Sequence, residues 1–550
     1  MRASHSWSLL VFRDGRRVFA GRDLLRPLLQ NLDLLSNSDF KTQPAREELI
    51  EALLRSGELE CALADHGGSG AAAEDLARLT DQLAIGLVGQ SNLRLASELL
   101  ERLSSADLPE SLTVSIPEGF SYYALHPLDY ADLLSENAID TPAAAVVGIR
   151  SIGTTLSAIV RAWFELRQIP AERITVRPTG HPFDRRLSLS ERDRQWIMRG
   201  VQQQAMFFVV DEGPGLSGSS FLAVAEALLR AGVSAERIVL LPSSTPNLSA
   251  LFASDAAPRW GRFKTLPLKS TLHVPSEAKH DFGCGEWRRN VFAREQDWPG
   301  VWPWTERRKF LSANRRTLYR FDGHGHYGKA VRDRAQLLAE HGWGPATSVA
   351  GDGFSACPWI FGETPRHADR DTVLHLARYC AFRAAHFELP AASSDELEHM
   401  TAANLERALG IPQSVTLPIE RPVLADARMM PHEWIATPDR RLLKVDAASH
   451  GDDHFYPGPT DIAWDLAGVI VEWKLDDEAS ELLVSEYKRI SGDSIEARLP
   501  GYLIAYCAFR LGFTLSAGHS MSDEAESARF RQDAGKYREK LELQLPLTVS

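Results

Sequence analysis

The run Phe207-Phe208-Val209-Val210-Asp211-Glu212-Gly213-Pro214-Gly215-Leu216-Ser217-Gly218-Ser219-Ser220 constrains the fold of this chain more than any other stretch. Four apolar β-formers read as a strand buried on both faces. The small residues after them let a backbone approach an anion with no side chain in the way. Phe221, Leu222, Ala225, Leu228 and Leu229 then recur at helical spacing, Gly232 stops the run, and Ile238-Val239-Leu240-Leu241 supplies the next strand. The stretch is therefore predicted as a βαβ unit. At its turn, unpaired N–H groups and the helix dipole favour an anion, and Asp211 and Glu212 can accept hydrogen bonds from sugar hydroxyls.

That combination resembles the 5-phosphoribosyl-diphosphate (PRPP) motif of type I phosphoribosyltransferases. The resemblance implies that Asp211 and Glu212 hold the ribose as catalytic residues, and that Gly215, Ser217, Gly218, Ser219 and Ser220 hold its 5-phosphate. Ser217-Gly218-Ser219-Ser220 stands where the family has Thr-Gly-x-Thr, with one more residue before it. Upstream, residues 144–155 again read as strand, turn and helix start, and Gly148-Ile149-Arg150-Ser151-Ile152-Gly153 resembles the family's pyrophosphate loop. Arg150, Ser151 and Gly153 are the contacts this implies. Ile174-Thr175-Val176-Arg177-Pro178 and the polar stretch carrying His181, Asp184, Arg185 and Arg186 fall where the family keeps a mobile lid, which makes Arg177 and Arg185 implied phosphate contacts. A generic α/β crossover with a solvated arginine-rich loop is the alternative reading of the same residues.

Length leaves room for about three domains, and 44% hydrophobic with 24% charged residues is ordinary for a soluble globular chain. The formal net charge of −12 gives no general attraction to nucleic acid or anionic membrane, so neither is expected as a partner. Cys61, Cys284, Cys357, Cys380 and Cys507 are scattered without CxxC spacing, as expected of reduced thiols in the cytoplasm. The first residues lack the pattern of a signal peptide and no apolar run is long enough to span a bilayer, so a cytoplasmic location is expected, with a homodimer as one assembly to consider. Residues 1–110 show helical spacing through Leu49, Leu53 and Leu63 and again through Leu76, Leu83 and Leu87, broken at Gly67-Gly68-Ser69-Gly70. Cys61 reads as core there rather than as a nucleophile. The aromatic stretch 119–127 marks the entry to the middle domain and is a candidate hood over a nucleobase site. Residues 264–304, rich in Pro, Trp and charge, read as a structured connector.

A second constellation lies further on. Leu424-Ala425-Asp426-Ala427-Arg428 precedes Pro431-His432-Glu433-Trp434, a hairpin-like turn at Thr437-Pro438-Asp439, a strand ending in Asp446, and Asp461-Ile462-Ala463-Trp464-Asp465-Leu466-Ala467. This order resembles aminoglycoside and choline kinase-like phosphotransferases. The resemblance implies a catalytic Asp426, magnesium on Asp446 and Glu433 (or His432) in place of the family's Asn, and ATP bound through Arg320 where the family has Lys. His450-Gly451-Asp452-Asp453-His454 is read as a polar loop, with a two-metal hydrolase site as its alternative.

The expected fold is α/β: a helical region (1–110), a phosphoribosyltransferase-like parallel sheet flanked by helices (111–262), a connector (263–304) and a protein-kinase-like α+β domain (305–550). The expected function is a two-module transferase of nucleotide-like metabolism. One site would move phosphoribosyl from PRPP to a nucleobase or amine, and the other phosphoryl from ATP to a small molecule, both with Mg2+. A nucleotide-sensing or interaction protein with degenerate modules, and a metal-dependent phosphoribosyl hydrolase, are the alternatives.

Overall fold

The computed structural model describes residues 9–36, 42–68, 70–90, 97–215, 217–268 and 273–545. Ser69 of the glycine-rich break, Leu216 of the turn and part of the connector therefore lie outside the described residues.

A five-stranded parallel sheet forms the middle of the chain. Its order is Ala171–Val176, Ala144–Ile149, Met206–Val210, Ile238–Leu241, Lys264–Thr265. The three inner strands bury nearly every side chain, as the unbroken apolar runs require. The helices Ile152–Glu165 and Ser219–Arg230 follow the first and third strands in sequence, and Gly218 enters the second helix with φ 67°, a left-handed conformation that glycine adopts without penalty. The fifth strand was expected as connector. Two residues at a sheet edge carry no periodic signal, so nothing in the sequence marks them.

The amino-terminal helices Gly21–Ser36, Gln43–Asp65, Ala71–Gly89 and Ser97–Ser105 share one apolar core with the helix Ile152–Glu165 and a face of this sheet, which brings together Leu53, Leu59 and Leu79, Leu156, Ile159 and Val160, and Val146, Phe208 and Val210. Full burial of such side chains contributes about 1.5–3 kcal/mol each.

A second, antiparallel sheet runs in the order Ala278–Asp281, Lys309–Ser312, Thr317–Phe321, Phe354–Pro358, Ser348–Gly351, with the helix Gly325–Glu340 crossing between its third and fourth strands in sequence. Its first strand also falls in the stretch read as connector. The mostly helical remainder packs Trp434, Trp464, Tyr502 and Tyr506 at zero exposure. The amino-terminal arm joins that lobe: Val11 belongs to its core, and Phe12 stacks on Phe455 at 5.0 Å between ring centroids. Among the described residues no helix is long and apolar enough to cross a membrane.

Gly57 marks how closely the helical region lies on the sheet domain. A Cβ there would sit 2.1 Å from Thr155 Oγ1 and 3.2 Å from Thr155 Cβ. Gly57→Val should therefore lower stability by about 1–3 kcal/mol, read from urea unfolding midpoints. An unchanged midpoint would contradict the packing.

Candidate functional site

A cleft of about 1340 Å³ separates the antiparallel sheet from the helical lobe. Asp446 lies at their junction. Its carboxylate faces Lys309 Nζ at 3.2 Å and Arg320 Nη1 at 3.3 Å from the sheet, and His450 Nε2 at 3.6 Å from the loop that follows. Burial alone would raise the Asp446 pKa, but the charges of Lys309, His450 and Arg320 hold it well below the usual carboxylate range. Lys309 sits one strand away from Arg320, in register opposite it. Sequence reasoning chose Arg320 alone and passed over Lys309, although the run Lys309-Phe310-Leu311-Ser312 beside a short turn carried a hairpin signal. Arg320 divides its charge between Asp446 and the buried Asp322. Glu433 also lines the cleft, and its carbonyl accepts from Val445 N–H (3.0 Å), which brings it next to Asp446. Two carboxylates open to a cleft are hard oxygen donors of the number that Mg2+ takes from protein when phosphates and water complete its shell.

Asp426 is placed differently from the expectation. It is fully buried and faces away from the cleft, accepting the Tyr379 hydroxyl and pairing with Lys444 Nζ at 3.3 Å and Arg383 Nη1 at 3.7 Å. Asp465, whose pKa burial pushes up to about 6, accepts the Asp426 N–H (2.8 Å) and the Ala427 N–H (3.0 Å) and so pins this loop. Asp426, expected as a catalytic residue, is not among the residues that line the cleft. Arg428, two residues on, lines the cleft instead.

The connector is a wall of the same cleft, through Trp287, Trp298 and Trp302. The stretch 119–123 reaches it from the other side: Tyr122 lines the cleft, its hydroxyl donates to the Asp452 carbonyl (3.1 Å), and Tyr123 shares a hydrogen bond with His454 (3.0 Å). His450 and His454 thus serve different neighbours. Among the described residues no three His, Cys, Asp or Glu side chains are grouped to hold a metal ion.

In the sheet domain, Asp211 and Glu212 follow the central strand. Glu212 accepts the Gly119 N–H (2.9 Å), and Tyr130 donates to the Asp211 carbonyl (2.6 Å). Burial pushes their carboxyls up, Asp211 to about 7 and Glu212 to about 8. Several other residues of the expected phosphate cradle already have partners. Ser217 and Ser219 hydroxyls donate to the Pro182 carbonyl at 2.8 and 2.6 Å, from the tip of the hairpin Thr179–His181 and Asp184–Arg186. Arg150 and Arg177 both pair with Asp65, at the end of the Gln43–Asp65 helix, and Ser151 N–H donates to Cys61 Sγ (3.3 Å). Arg185 donates to the Pro178 carbonyl (3.3 Å). Gly153 has a packing reason to be glycine, since a Cβ would lie 2.7 Å from the Val210 carbonyl. Gly215 stands in open space at φ 61°, and Ser220 is the second residue of the helix Ser219–Arg230. Cys61 is core, as expected, with its thiol pushed up to about 11 by burial.

No family model matches the chain, and no curated protein matches it. Solved structures that resemble it include the choline kinase LicA from Streptococcus pneumoniae (15% identity, 46% of this chain and 97% of that one, TM-score 0.31). A choline/ethanolamine kinase family protein from Mesorhizobium loti aligns at 16% identity over 48% and 95% of the two chains, TM-score 0.26. An aminoglycoside phosphotransferase from Alicyclobacillus acidocaldarius aligns at 12% identity over 50% and 98%, TM-score 0.25. Likenesses of this size establish neither fold nor function.

The raised carboxyls of Asp211 and Glu212 fix the sign of a pH effect. The folded chain keeps these protons to about pH 7 and 8, whereas the unfolded chain loses them near pH 4. The native state then binds more protons across that window, and stability falls as pH rises through it. Urea midpoints at pH 5 and pH 8 should drop more for wild type than for Asp211→Asn/Glu212→Gln. Equal drops would contradict the burial of the pair.

Proposed function

We propose that the cleft between the antiparallel sheet and the helical lobe transfers a phosphoryl group from ATP to a small molecule. The observation that carries this reading is Asp446, one carboxylate at the lobe junction with Lys309, Arg320 and His450 gathered on it and Glu433 alongside. A nucleotide's phosphates would take Lys309 and Arg320 from Asp446, exchanging a carboxylate partner for phosphate oxygens. Asp446 and Glu433 would hold Mg2+, which supplies charge neutralisation on the phosphate oxygens. Trp287, Trp298 and Trp302 give the remaining space an aromatic wall. With Asp426 turned inward, Asp453 is the carboxylate that we assign to the acceptor's proton. It lines the cleft, accepts the Phe455 N–H on one oxygen (2.8 Å), and has its pKa raised by burial.

A second reading concerns the sheet domain. Its acidic pair at the end of the central strand, two serine hydroxyls and a helix start at one turn support a sugar-phosphate site, with PRPP-dependent transfer to a nucleobase or amine as the reaction of that class. Pro182 and Asp65 now satisfy the groups that PRPP would use, so entry requires both to yield. Binding without turnover at either site would make the protein a sensor.

Two measurements test these readings. Lys309→Ala and Asp446→Ala should each lower kcat/KM for ATP on the order of a hundredfold, or ATP affinity by calorimetry if no acceptor is known; full retention in both would discard the cleft as the ATP site. Asp65→Ala should tighten binding of PRPP with magnesium, because it frees Arg150 and Arg177. Absence of PRPP binding in wild type and variant alike would remove the second reading.

A further inference from the structure

The cationic side chains of the cleft are not all engaged. Lys309 and Arg320 face Asp446, Arg510 faces Glu472 at 3.4 Å, and Arg529 faces Glu526 at 2.7 Å. Arg307 and Arg428 differ. Both line the cleft, both are half-buried, and neither has a carboxylate within ion-pair distance among the described residues. Arg307 spends one nitrogen on the carbonyls of Ser121 (3.2 Å) and Asp322 (3.0 Å). Arg428 is held only by aromatic rings, its Cζ 5.6 Å from the centroids of both Phe455 and Phe513.

A continuous set of rings links the two. Arg307 lies 5.0 Å over Tyr122, Tyr122 is 5.2 Å from His454, and His454 is 4.4 Å from Phe455, on which Arg428 rests. A third guanidinium backs this spot. Arg13 donates to the Asp453 carbonyl (2.8 Å), and its Nη2 is buried without a hydrogen-bond partner. Burial together with Arg307, Arg13 and Arg428 pushes His454 down to about 3, so the imidazole is neutral and adds no charge of its own. Of the carboxylates nearby, Asp452 is paired with Arg17 and Arg334, and Asp453 makes no ion pair with the guanidiniums among the described residues. Half-buried arginines stacked on rings and without a direct ion pair among the described residues are suited to a phosphate or carboxylate, which a guanidinium binds through two parallel hydrogen bonds.

We propose that Arg307 and Arg428 form an anion subsite for the phosphoryl acceptor, so that the cleft takes a small molecule bearing a phosphate monoester or carboxylate in addition to its hydroxyl. This rests on the phosphotransferase reading of the cleft. An acceptor whose recognition group is an ammonium is repelled by the same pair. The nucleotide's phosphates are served by Lys309 and Arg320 at Asp446, which leaves the arginine pair for the second substrate.

The test uses the full chain, with and without magnesium and a non-hydrolysable ATP analogue, titrated by calorimetry with inorganic phosphate and, separately, acetate. Arg428→Met is the informative variant, because Arg428 makes no side-chain hydrogen bond to a described residue whose loss would disturb the fold, and methionine keeps the packing between the rings. Saturable phosphate binding that weakens about tenfold or more in Arg428→Met, with affinity for the analogue unchanged, is the expected result. Acetate binding in place of phosphate, with the same sensitivity, assigns a carboxylate. Three results overturn the proposal: no saturable binding of either anion to wild type, anion binding indifferent to the substitution, or loss of analogue affinity in Arg428→Met. Anion binding through Arg428 by a chain that binds no nucleotide keeps the subsite and discards the kinase-type reading, so the two failures are distinguishable.

Discussion

Four buried charges hold the helical lobe in the shape that its cleft requires. Asp426, Asp465, Arg383 and Lys444 are each at most 1% exposed. Taking an ion out of water costs several kcal/mol before any partner is counted, so each must be answered by geometry. Arg383 bridges Asp426 and Asp465 at 3.7 Å and donates to the carbonyls of Leu424 (2.6 Å) and Ala447 (3.1 Å), while Lys444 donates to the Asp446 carbonyl (2.5 Å). One network thereby ties the helix Arg370–His386, the loop after Leu424, the strand Leu442–Lys444 and the helix Ala463–Glu472. Its consequence for chemistry is directional. Asp465 grips two successive amides, Ala427 is held at φ 65°, and the chain turns so that Asp426 points inward and Arg428 faces the cleft. A non-glycine residue at positive φ stores strain that such a network can sustain.

The same economy of elements joins the two modules. Gly119 caps the Glu212 carboxylate of the sheet domain, and four residues later Tyr123 bonds His454 at the cleft. The helical region contributes as well: Glu51 accepts the His326 N–H (2.7 Å), and Tyr327 donates to Glu58 (3.1 Å), both across to the helix Gly325–Glu340. The stretch 119–123 thus bridges the acidic pair of the sheet domain and the cleft.

Legibility in the sequence followed the length and burial of each element. Residues 144–149, 206–210 and 238–241 are long apolar runs in a parallel sheet, and period and composition marked all three. The strand pair Trp434–Ala436 and Leu442–Lys444 was marked by its turn, and the helix Ala463–Glu472 by its motif. Lys264–Thr265 and Ala278–Asp281 are short and polar, and their pairing is decided by distant partners. Asp446 could be read because it closely follows a strand, two residues after Lys444. The inward turn of Asp426 could not, because Tyr379 and Arg383 reach it from one helix, Asp465 from another and Lys444 from a strand. Lys309 and Arg428 were missed for a related reason: a lone basic residue among apolar neighbours has meaning only once the opposite wall of a cleft is known.

The central claim is that Asp446 with Lys309 and Arg320 is a phosphate and metal station rather than a structural ion cluster. A crystal structure of the chain grown with magnesium and a non-hydrolysable ATP analogue tests it most directly. The account predicts nucleotide phosphates between the two basic side chains and Asp446, a metal ion bridging that carboxylate to the phosphates, and loss of the direct Lys309–Asp446 contact. An empty cleft with the Lys309, Arg320 and Asp446 cluster intact, or a nucleotide lodged elsewhere on the molecule, would contradict it.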